Sequence, residues 1–297
     1  MRCETCGKNH NPITGICMHC ATPHQLTQVS SYDPTEDGKV LRVSKSSFMG
    51  YLYCPRQYWW ERVELKDMRF PPTEAMLRGT EVHDAVENLY EAWEGTSSVR
   101  HLLPEGQVYD TIAQLEEARM EHWGITSWEP IEVEEKRVYW SEEYNCVFVG
   151  KIDGVFLTPE GTICIFELKT GSFNDRKVAK TRKELCFYRQ MLIDMGETRP
   201  ITHFAYMGPD AVNEKFLDRL RKQKGKTVIC GEDSGILLIE KVNQRSINTF
   251  EKDFLDFRLQ IGEEKWPMNW SDYVCPQWCN FSMACESELT GVDFEWE

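Results

Sequence analysis

The sequence contains no apolar run that approaches the roughly 18 residues needed to cross a membrane, which excludes a spanning protein. Its first residues, Met1 to Cys6, also lack the apolar stretch of a secretory signal, so we expect a cytoplasmic protein. An excess of positive charge is missing too, because 48 acidic against 34 basic residues give a net charge of -14. This balance excludes a generally basic coat, so any contact with nucleic acid must use local basic patches.

What the sequence does contain is enough apolar material for a large core and an unusual distribution of cysteine. The 297 residues are 41% hydrophobic, which suits one large domain or one domain plus a small appendage. Most of the 12 cysteines fall in clusters. In a chain without a secretory signal, clustered cysteines favour metal sites over disulfides.

The N-terminal cysteines form two Cys-x2-Cys units, which predict a small zinc-binding knuckle over residues 1–26. Four thiolates on two tight turns match tetrahedral Zn²⁺, and His10, His19 or His24 could replace one of them. A unit this short depends on the metal for its folding free energy. Residues 27–43 are interpreted as a linker and residues 44–297 as the main domain. The predicted zinc ligands are Cys3, Cys6, Cys17 and Cys20.

A second group of cysteines lies at the two ends of the main domain. Cys275, Cys279 and Cys285 are regularly spaced but need a fourth ligand, for which Cys54 in an aromatic segment is the candidate. Four thiolates suit either Zn²⁺ or a [4Fe–4S] cluster. Such a site would join residues 44–72 to residues 265–290 as one lobe. The alternative is that Cys54 packs as a small hydrophobic residue and the other three are free thiols. The remaining cysteines, for which we expect core or surface positions, are Cys146, Cys164, Cys186 and Cys230.

Hydrophobic periodicity in the main domain predicts strands surrounded by helices, hence a mixed α/β fold with a central antiparallel hairpin. The predicted helices cover 44–63, 74–94, 107–123, 176–194 and 244–262. The predicted strands cover 132–140, 146–157, 162–170, 201–207 and 235–241.

The hairpin carries two carboxylates that we predict to face each other. If its turn centres on Glu160, Asp153 lies directly opposite Glu167, with Lys169 one pleat away on the same face. Two acids opposed between apolar neighbours are destabilising unless a cation lies between them. Carboxylate oxygens suit Mg²⁺ or Mn²⁺. The alternative is an exposed hairpin with scattered charges, and a register slip of one residue would separate the acids.

The same residues, in this order, resemble the RecB-like branch of the PD-(D/E)XK nuclease superfamily. Within it they are most similar to the iron–sulfur exonucleases, which include the nuclease domain of AddB and the CRISPR-associated exonuclease counted fourth in the Cas series. The matching motifs are the Cys54-Pro55 pair, His83 in helix 74–94, the GxxD motif ending at Asp153, the ExK motif Glu167-Leu168-Lys169, and the C-terminal cysteine triplet.

Two positions differ from the family pattern. The Gln-x3-Tyr motif has Glu184 in place of glutamine and keeps Tyr188, and the first gap in the cysteine triplet is three residues where the family more often has two.

The resemblance implies a restriction-endonuclease-like core with a central mixed sheet flanked by helices, termini clamped by an iron–sulfur cluster, and hydrolysis of phosphodiester bonds. It implies that His83, Asp153, Glu167 and the Leu168 carbonyl bind the divalent cation. Lys169 would then position the attacking water, and Tyr188 would belong to the catalytic set.

Two basic runs are candidates for binding the DNA backbone, and the alternative for each is a solvated helix face. The first comprises Arg176, Lys177, Lys180, Arg182 and Lys183; the second comprises Arg219, Arg221, Lys222, Lys224 and Lys226.

The function expected from these features is a metal-dependent DNA exonuclease with a preference for single strands, acting in replication, recombination or repair. A helicase, recombinase or integrase is the expected kind of partner. The alternatives are a CRISPR-adaptation nuclease that trims DNA before integration and a non-catalytic nuclease-fold adaptor that binds DNA.

Overall fold

The computed structural model describes residues 41–66, 70–127, 129–133, 136–141, 143–230 and 235–292. The predicted zinc-binding knuckle, with Cys3, Cys6, Cys17 and Cys20, therefore lies outside the described residues, as does most of the predicted linker. Among the described residues, no helix combines the length and apolar character that crossing a bilayer requires.

The described helices are named here in chain order. They are α1 (Lys45–Tyr53), α2 (Pro55–Trp59), α3 (Glu74–Ala92), α4 (Gln107–Trp123), α5 (Asp175–Asp194), α6 (Glu214–Arg221), α7 (Gln244–Gly262), α8 (Cys275–Trp278) and α9 (Ser282–Thr290). A π-helical turn, Trp60–Glu64, follows α2, and 3₁₀ turns cover Arg100–Leu102 and Ile125–Ser127.

The described strands form two sheets. They are β1 (Arg42–Ser44), β2 (Pro130–Glu132), β3 (Lys136–Ser141), β4 (Cys146–Lys151), β5 (Gly154–Leu157), β6 (Ile163–Leu168), β7 (Ile201–Gly208), β8 (Lys226–Cys230) and β9 (Ile236–Lys241). A three-stranded sheet has the order β1-β4-β3, and a six-stranded sheet has the order β2-β5-β6-β7-β9-β8. The larger sheet is mixed, because β6 and β7 are parallel whereas its other neighbouring strands are antiparallel.

Two compact units make up the chain. The first takes the described residues within Met1–Phe70, Val138–Val149 and Glu251–Glu297, and the second takes those within Pro71–Arg137 and Gly150–Phe250. The second unit contains the large sheet and every residue predicted to act in catalysis. The first contains all four cysteines of the predicted cluster site.

The second unit is a sheet with helices on both faces. Alternate residues of β6 point to opposite sides, so Phe166 and Leu168 join the core beneath α3 and α4. Glu167 points to the other face, which α5 covers. The prediction of a mixed sheet flanked by helices is confirmed.

The first unit is organised by aromatic packing between its helices. Phe48 of α1 packs against Phe254 and Phe257 of α7, with ring centroids 5.1 and 5.5 Å apart. Ser44 caps α1 in a reciprocal capping box, in which its side chain accepts from the Ser47 amide and the Ser47 hydroxyl accepts from the Ser44 amide.

Several predicted boundaries match those of the structure. Helices 107–123 and 244–262 have the predicted limits, and the helices predicted at 74–94 and 176–194 differ by no more than two residues at either end. The turn between β5 and β6 also matches, because Gly161 adopts a φ of 72°, a conformation that glycine accepts without strain.

Two predicted strands were wrong as single elements. The predicted strand 146–157 is broken at Ile152 and Asp153, and its halves β4 and β5 belong to different sheets. The predicted strand 132–140 is likewise divided between β2 and β3. Continuous β-propensity concealed both changes of sheet, because it records side-chain preference and not where the backbone bends.

The predicted helix 44–63 was also wrong as a single element. Cys54 has an extended backbone between α1 and α2, and Pro55 begins the second helix. An extended residue is expected there, because proline disfavours the α conformation in the residue before it.

Candidate active site

The β5–β6 hairpin has the register that the sequence predicted. Gly154 lies opposite Phe166 and Val155 opposite Ile165. Extended by one residue, this register brings Asp153 opposite Glu167. The bend after β4 therefore places the first acid at the end of the hairpin, where its side chain is directed to neighbouring elements.

Asp153 is held between the ExK strand and helix α3. Its Oδ2 accepts a hydrogen bond of 2.8 Å from the Leu168 amide, and its Oδ1 lies 3.5 Å from His83 Nδ1. His83 reaches this position because its flank of α3 faces the hairpin: Glu87, one turn further on, lies 3.6 Å from Lys151. The structure thus brings His83 and Asp153 together as the resemblance implied.

Lys169 lies between two buried carboxylates. Its Nζ is 2.5 Å from Glu167 Oε1 and 2.8 Å from Glu184 Oε2. Glu167 is fully buried and Glu184 is 5% exposed, whereas the Lys169 side chain is 22% exposed. Lys169 is therefore the member of this trio with access to solvent, and the two buried acids compensate its charge.

Tyr188 contacts the backbone of the GxxD segment. It is 2% exposed, and its hydroxyl donates a 2.6 Å hydrogen bond to the Lys151 carbonyl. Burial raises the pKa of the Tyr188 hydroxyl, and the charges of Glu167 and Asp153 raise it further. A neutral, buried hydroxyl bonded to the backbone positions the segment that leads to Asp153. That Tyr188 belongs to the catalytic set stays a prediction.

Gly150 allows helix α5 to approach strand β4 closely. A Cβ atom at this position would lie 2.8 Å from Met191 Cε and 2.9 Å from Tyr188 Cε1. Glycine therefore permits the contact that brings the Tyr188 hydroxyl to the Lys151 carbonyl.

Asp210, which no sequence motif had indicated, anchors the loop that follows Lys169. It pairs with Arg78 through both carboxylate oxygens, at 2.5 and 3.3 Å, and accepts a 2.5 Å hydrogen bond from the Gly171 amide. Burial alone would raise the pKa of Asp210, but these hydrogen bonds outweigh it and lower the pKa. Its partners are distant in the chain, so local sequence carries no signal for it.

The residues gathered here have the donor chemistry of a Mg²⁺ or Mn²⁺ site. Two buried carboxylates, an imidazole and the carbonyl at Leu168 offer mostly hard oxygen ligands. Within the residues that the structure describes, no group of three or more His, Cys, Asp or Glu side chains is arranged to hold a metal ion as it stands. The fit of these residues to a divalent cation therefore rests on the chemical type and the burial of the donor groups. In this structure Glu167 is paired with Lys169, and Asp153 is paired with His83 and the Leu168 amide.

The first basic run does not act as one surface. Arg176 and Lys180 are exposed on α5, but Arg182 forms a two-bond ion pair with the buried Glu240. Lys177 donates to the carbonyls of Thr170 and Gly171, and burial, followed by the Lys169 charge, lowers its pKa. A buried carboxylate thus matches the charge of Arg182, and contact of this run with DNA stays a prediction.

The second basic run is largely paired with acids. Arg219 contacts Asp175, and Arg221 contacts both Glu214 and Asp218. Lys226 lies 3.3 Å from Glu240. Three of its five residues are thus paired with acids, and contact of this run with DNA stays a prediction, with a solvated helix face as the alternative.

In the first unit, thiols of the predicted cluster site lie within electrostatic reach of one another. The pKa of Cys285 is raised to about 11, chiefly by burial and also by the Cys279 and Cys54 thiols, against a hydrogen bond with Trp60 that lowers it. The pKa of the Cys279 thiol is also raised, by burial first and then by the Cys275 and Cys54 thiols. Cys275 Sγ also accepts a 3.3 Å hydrogen bond from the Ser271 amide. Cys54 is thus near the C-terminal triplet, although the described thiols do not form a ready metal cage.

Comparison with known proteins identifies one family. The family model of the PD-(D/E)XK nuclease superfamily matches residues 42–286, which contain all of the residues described above. None of the curated proteins matches this chain.

Among solved structures, one described as "Crystal structure of SSO0001" aligns with 90% of this chain and 92% of that chain. The two are 14% identical and the TM-score is 0.43, a level at which the alignment carries no weight for fold or activity.

Proposed function

The chain belongs to the PD-(D/E)XK nuclease superfamily and is accordingly a phosphodiester hydrolase, and we propose that it is a metal-dependent DNA exonuclease with a preference for single strands. We place it in replication, recombination or repair. The observation that supports this best is the assembly of His83, Asp153, Glu167 and Lys169 at one end of the sheet.

The divalent cation would be held by His83, Asp153, Glu167 and the Leu168 carbonyl. A bound Mg²⁺ or Mn²⁺ supplies Lewis acidity at the scissile phosphate and makes water a stronger nucleophile. The burial of both carboxylates favours such a role, since charges in a dry site interact more strongly than in water.

Lys169 orients the attacking water and balances the charge that develops on the phosphoryl oxygens. Its exposed ammonium group is directed by Glu167 and Glu184, which fix it from two sides. Glu184 is therefore a positioning residue, and its carboxylate takes over the place of the glutamine that the family pattern has here. Tyr188 holds the backbone that carries Asp153.

The DNA backbone would run along the start of α5, which follows the ExK strand directly. Arg176, Lys180 and Lys183 are the contacts we propose there. The anchoring of the preceding loop by Asp210 and Lys177 supports a fixed orientation of these groups.

In the first unit we propose a [4Fe–4S] cluster on Cys54, Cys275, Cys279 and Cys285, with Zn²⁺ as the alternative occupant. The effect of Cys54 and Cys275 on the pKa of Cys279, and of Cys54 and Cys279 on the pKa of Cys285, supports a shared site. For residues 1–26 the proposal remains a zinc-binding knuckle. A helicase, recombinase or integrase is the proposed partner.

The test is digestion of end-labelled DNA by anaerobically purified full-length protein, with Mg²⁺, Mn²⁺ or chelator. Linear and circular single strands should be compared, together with a linear duplex. We expect progressive loss of nucleotides from the linear single strand, slower digestion of the duplex and an intact circle. Cutting of the circle at the same rate as the linear strand would reject an exonuclease. No cleavage by folded, metal-loaded protein would favour the non-catalytic adaptor.

A further inference from the structure

The second unit contains a cavity at the edge of the sheet opposite the catalytic residues. Its volume is about 850 Å³. It is formed where β6 and β7 begin, next to the start of β8 at Gly225 and the end of β9 at Lys241. The cavity lies at the start of β6 and Glu167 lies near its end. At a rise of about 3.3 Å per residue, the two are about 17 Å apart along the strand. A cavity of this size lies in the range of sites for small molecules.

Two cations in the lining, Arg189 and Lys241, form no ion pair with any described residue. In the part of the chain that the structure describes, the buried Nε atom of Arg189 has no hydrogen-bond partner, and no carboxylate forms an ion pair with this guanidinium. Lys241 likewise forms no ion pair with any described residue. An unmatched buried guanidinium nitrogen is costly, so a native structure is expected to provide it with a partner.

The other charged residues of the lining do not cancel this excess. Lys226 is matched by Glu240, which lies 3.3 Å away. Glu160 also lines the cavity and is fully exposed; a hydrogen bond with Thr158 lowers its pKa, and the charge of Lys241 lowers it further, so this carboxylate partly offsets Lys241. Burial lowers the pKa of His203, and Lys241 lowers it further, so His203 contributes a neutral ring at pH 7. With Lys226 matched by Glu240 and Lys241 partly offset by Glu160, the lining keeps an excess of positive charge at Arg189, within a chain whose net charge is -14.

The remaining wall is aromatic on one side and hydroxylated on the other. Trp123 is half-buried, and its ring packs edge-to-face against His203, with centroids 6.3 Å apart. The Thr202 hydroxyl bonds both His203 Nδ1, at 2.8 Å, and the Thr162 hydroxyl, at 2.6 Å. A flat apolar ring, polar hydroxyls and a pair of cations are thus arranged around one space.

We propose that this cavity binds a nucleoside monophosphate. A phosphate monoester carries a charge of about -1.5 to -2 at pH 7, which matches Arg189 and Lys241. The nucleobase stacks on Trp123, and the sugar hydroxyls bond to the threonine side. Neither the catalytic carboxylates nor a divalent cation takes part, so the site is separate from the proposed nuclease centre.

The test is isothermal titration of the full-length protein with AMP and TMP, in the presence of chelator to exclude binding through a cation. Adenosine and inorganic phosphate are titrated in parallel. We expect a nucleoside monophosphate to bind at least about tenfold more tightly than either fragment, because it alone uses both walls. Lys241→Ala and Arg189→Gln should each weaken binding about tenfold or more, as expected for loss of a charge-assisted hydrogen bond.

Matched variants test whether the nucleotide binds in this cavity. Glu167→Gln and Lys215→Ala, an exposed lysine outside the cavity, should leave the affinity unchanged. Trp123→Ala should weaken binding, and Trp123→Phe should restore most of it. Thermal melting checks that Arg189→Gln folds. Because Lys241 is exposed, Lys241→Ala is the variant in which a folding defect is least expected.

Three results would overturn the proposal. Inorganic phosphate binding as tightly as AMP would indicate an anion site without base recognition. Affinity unchanged in Lys241→Ala would place the ligand elsewhere. Binding of a short oligonucleotide but of no mononucleotide would indicate a surface that follows a nucleic-acid strand.

Discussion

At the scale of single residues, the proposed chemistry depends on Lys169 and the two acids that flank it. Glu167 and Glu184 are both buried, and each lies within 2.8 Å of the ammonium group. Such an arrangement holds one positive charge at a fixed place next to solvent, which is what a group facing a phosphate requires.

Replacing Lys169 by alanine should lower the cleavage rate by about 100-fold or more, a typical cost of removing a group that stabilises developing charge. DNA affinity should change little, because the exposed basic residues at the start of α5 remain. Gel-based cleavage assays and DNA titrations with chelator measure the two effects. Lys215→Ala controls for loss of an exposed positive charge. Cleavage at the wild-type rate by folded Lys169→Ala would remove this mechanism.

Glu184 should behave as a positioning residue. Glu184→Ala is expected to reduce cleavage by about tenfold, since Lys169 loses one of its two fixed partners. Glu184→Gln should restore most of the activity, because an amide oxygen can still accept from the ammonium. Single-turnover rates with saturating DNA check this. Equal losses in both variants would show that the negative charge itself is needed.

At the scale of elements, helix α5 joins the site together. It contributes Glu184 to the Lys169 pair and Tyr188 to the backbone of the GxxD segment. The close approach that Gly150 permits makes the second contact possible.

Tyr188→Phe should therefore lower the free energy of unfolding by about 1 kcal/mol, the usual net value of a hydrogen bond, and somewhat more if the Lys151 carbonyl is left without a donor. Urea unfolding of the wild type and of Tyr188→Phe at one pH measures this difference in the free energy of unfolding. Tyr51→Phe offers a comparison in the first unit, because its hydroxyl bonds a side chain, Gln260, at 2.6 Å. Full stability in Tyr188→Phe would mean that the hydroxyl does not hold this segment.

The elements also show what the sequence could and could not predict. Helices with strong periodicity, such as α4 and α7, and the hairpin register were predictable, because they depend on local pattern and turn chemistry. The change of sheet between β4 and β5 was not, since it depends on tertiary pairing. Helix α6 was missed because its charged residues resemble a basic run, and strand β8, of five residues, begins at the last residue of that run. Asp210 was missed because its partners lie far away in sequence.

At the scale of the molecule, buried titratable groups tie stability to pH. Burial raises the pKa of the Cys164 thiol to about 12, from the 9.0 of an exposed thiol. Between these values the unfolded chain releases a proton that the native protein retains. The stabilising contribution is therefore complete below pH 9 and is lost as the pH rises toward 12.

We accordingly expect the free energy of unfolding to fall between pH 9 and 12. The fall should be shallower in Cys164→Ala, although that variant starts from a lower stability because it leaves a small cavity. Urea unfolding under reducing conditions at several pH values provides both slopes. Parallel slopes for the two proteins would contradict a protonated, buried Cys164.

The proposed function depends above all on the hairpin acids and His83 forming the metal centre of a nuclease. The most direct test is the cleavage rate of end-labelled single-stranded DNA across a Mn²⁺ titration, for the wild type and for Glu167→Gln. We expect metal-dependent cleavage by the wild type and a rate at least about 100-fold lower for Glu167→Gln at every concentration. Equal rates in the two proteins, or wild-type cleavage that persists with chelator, would contradict a metal centre at these residues.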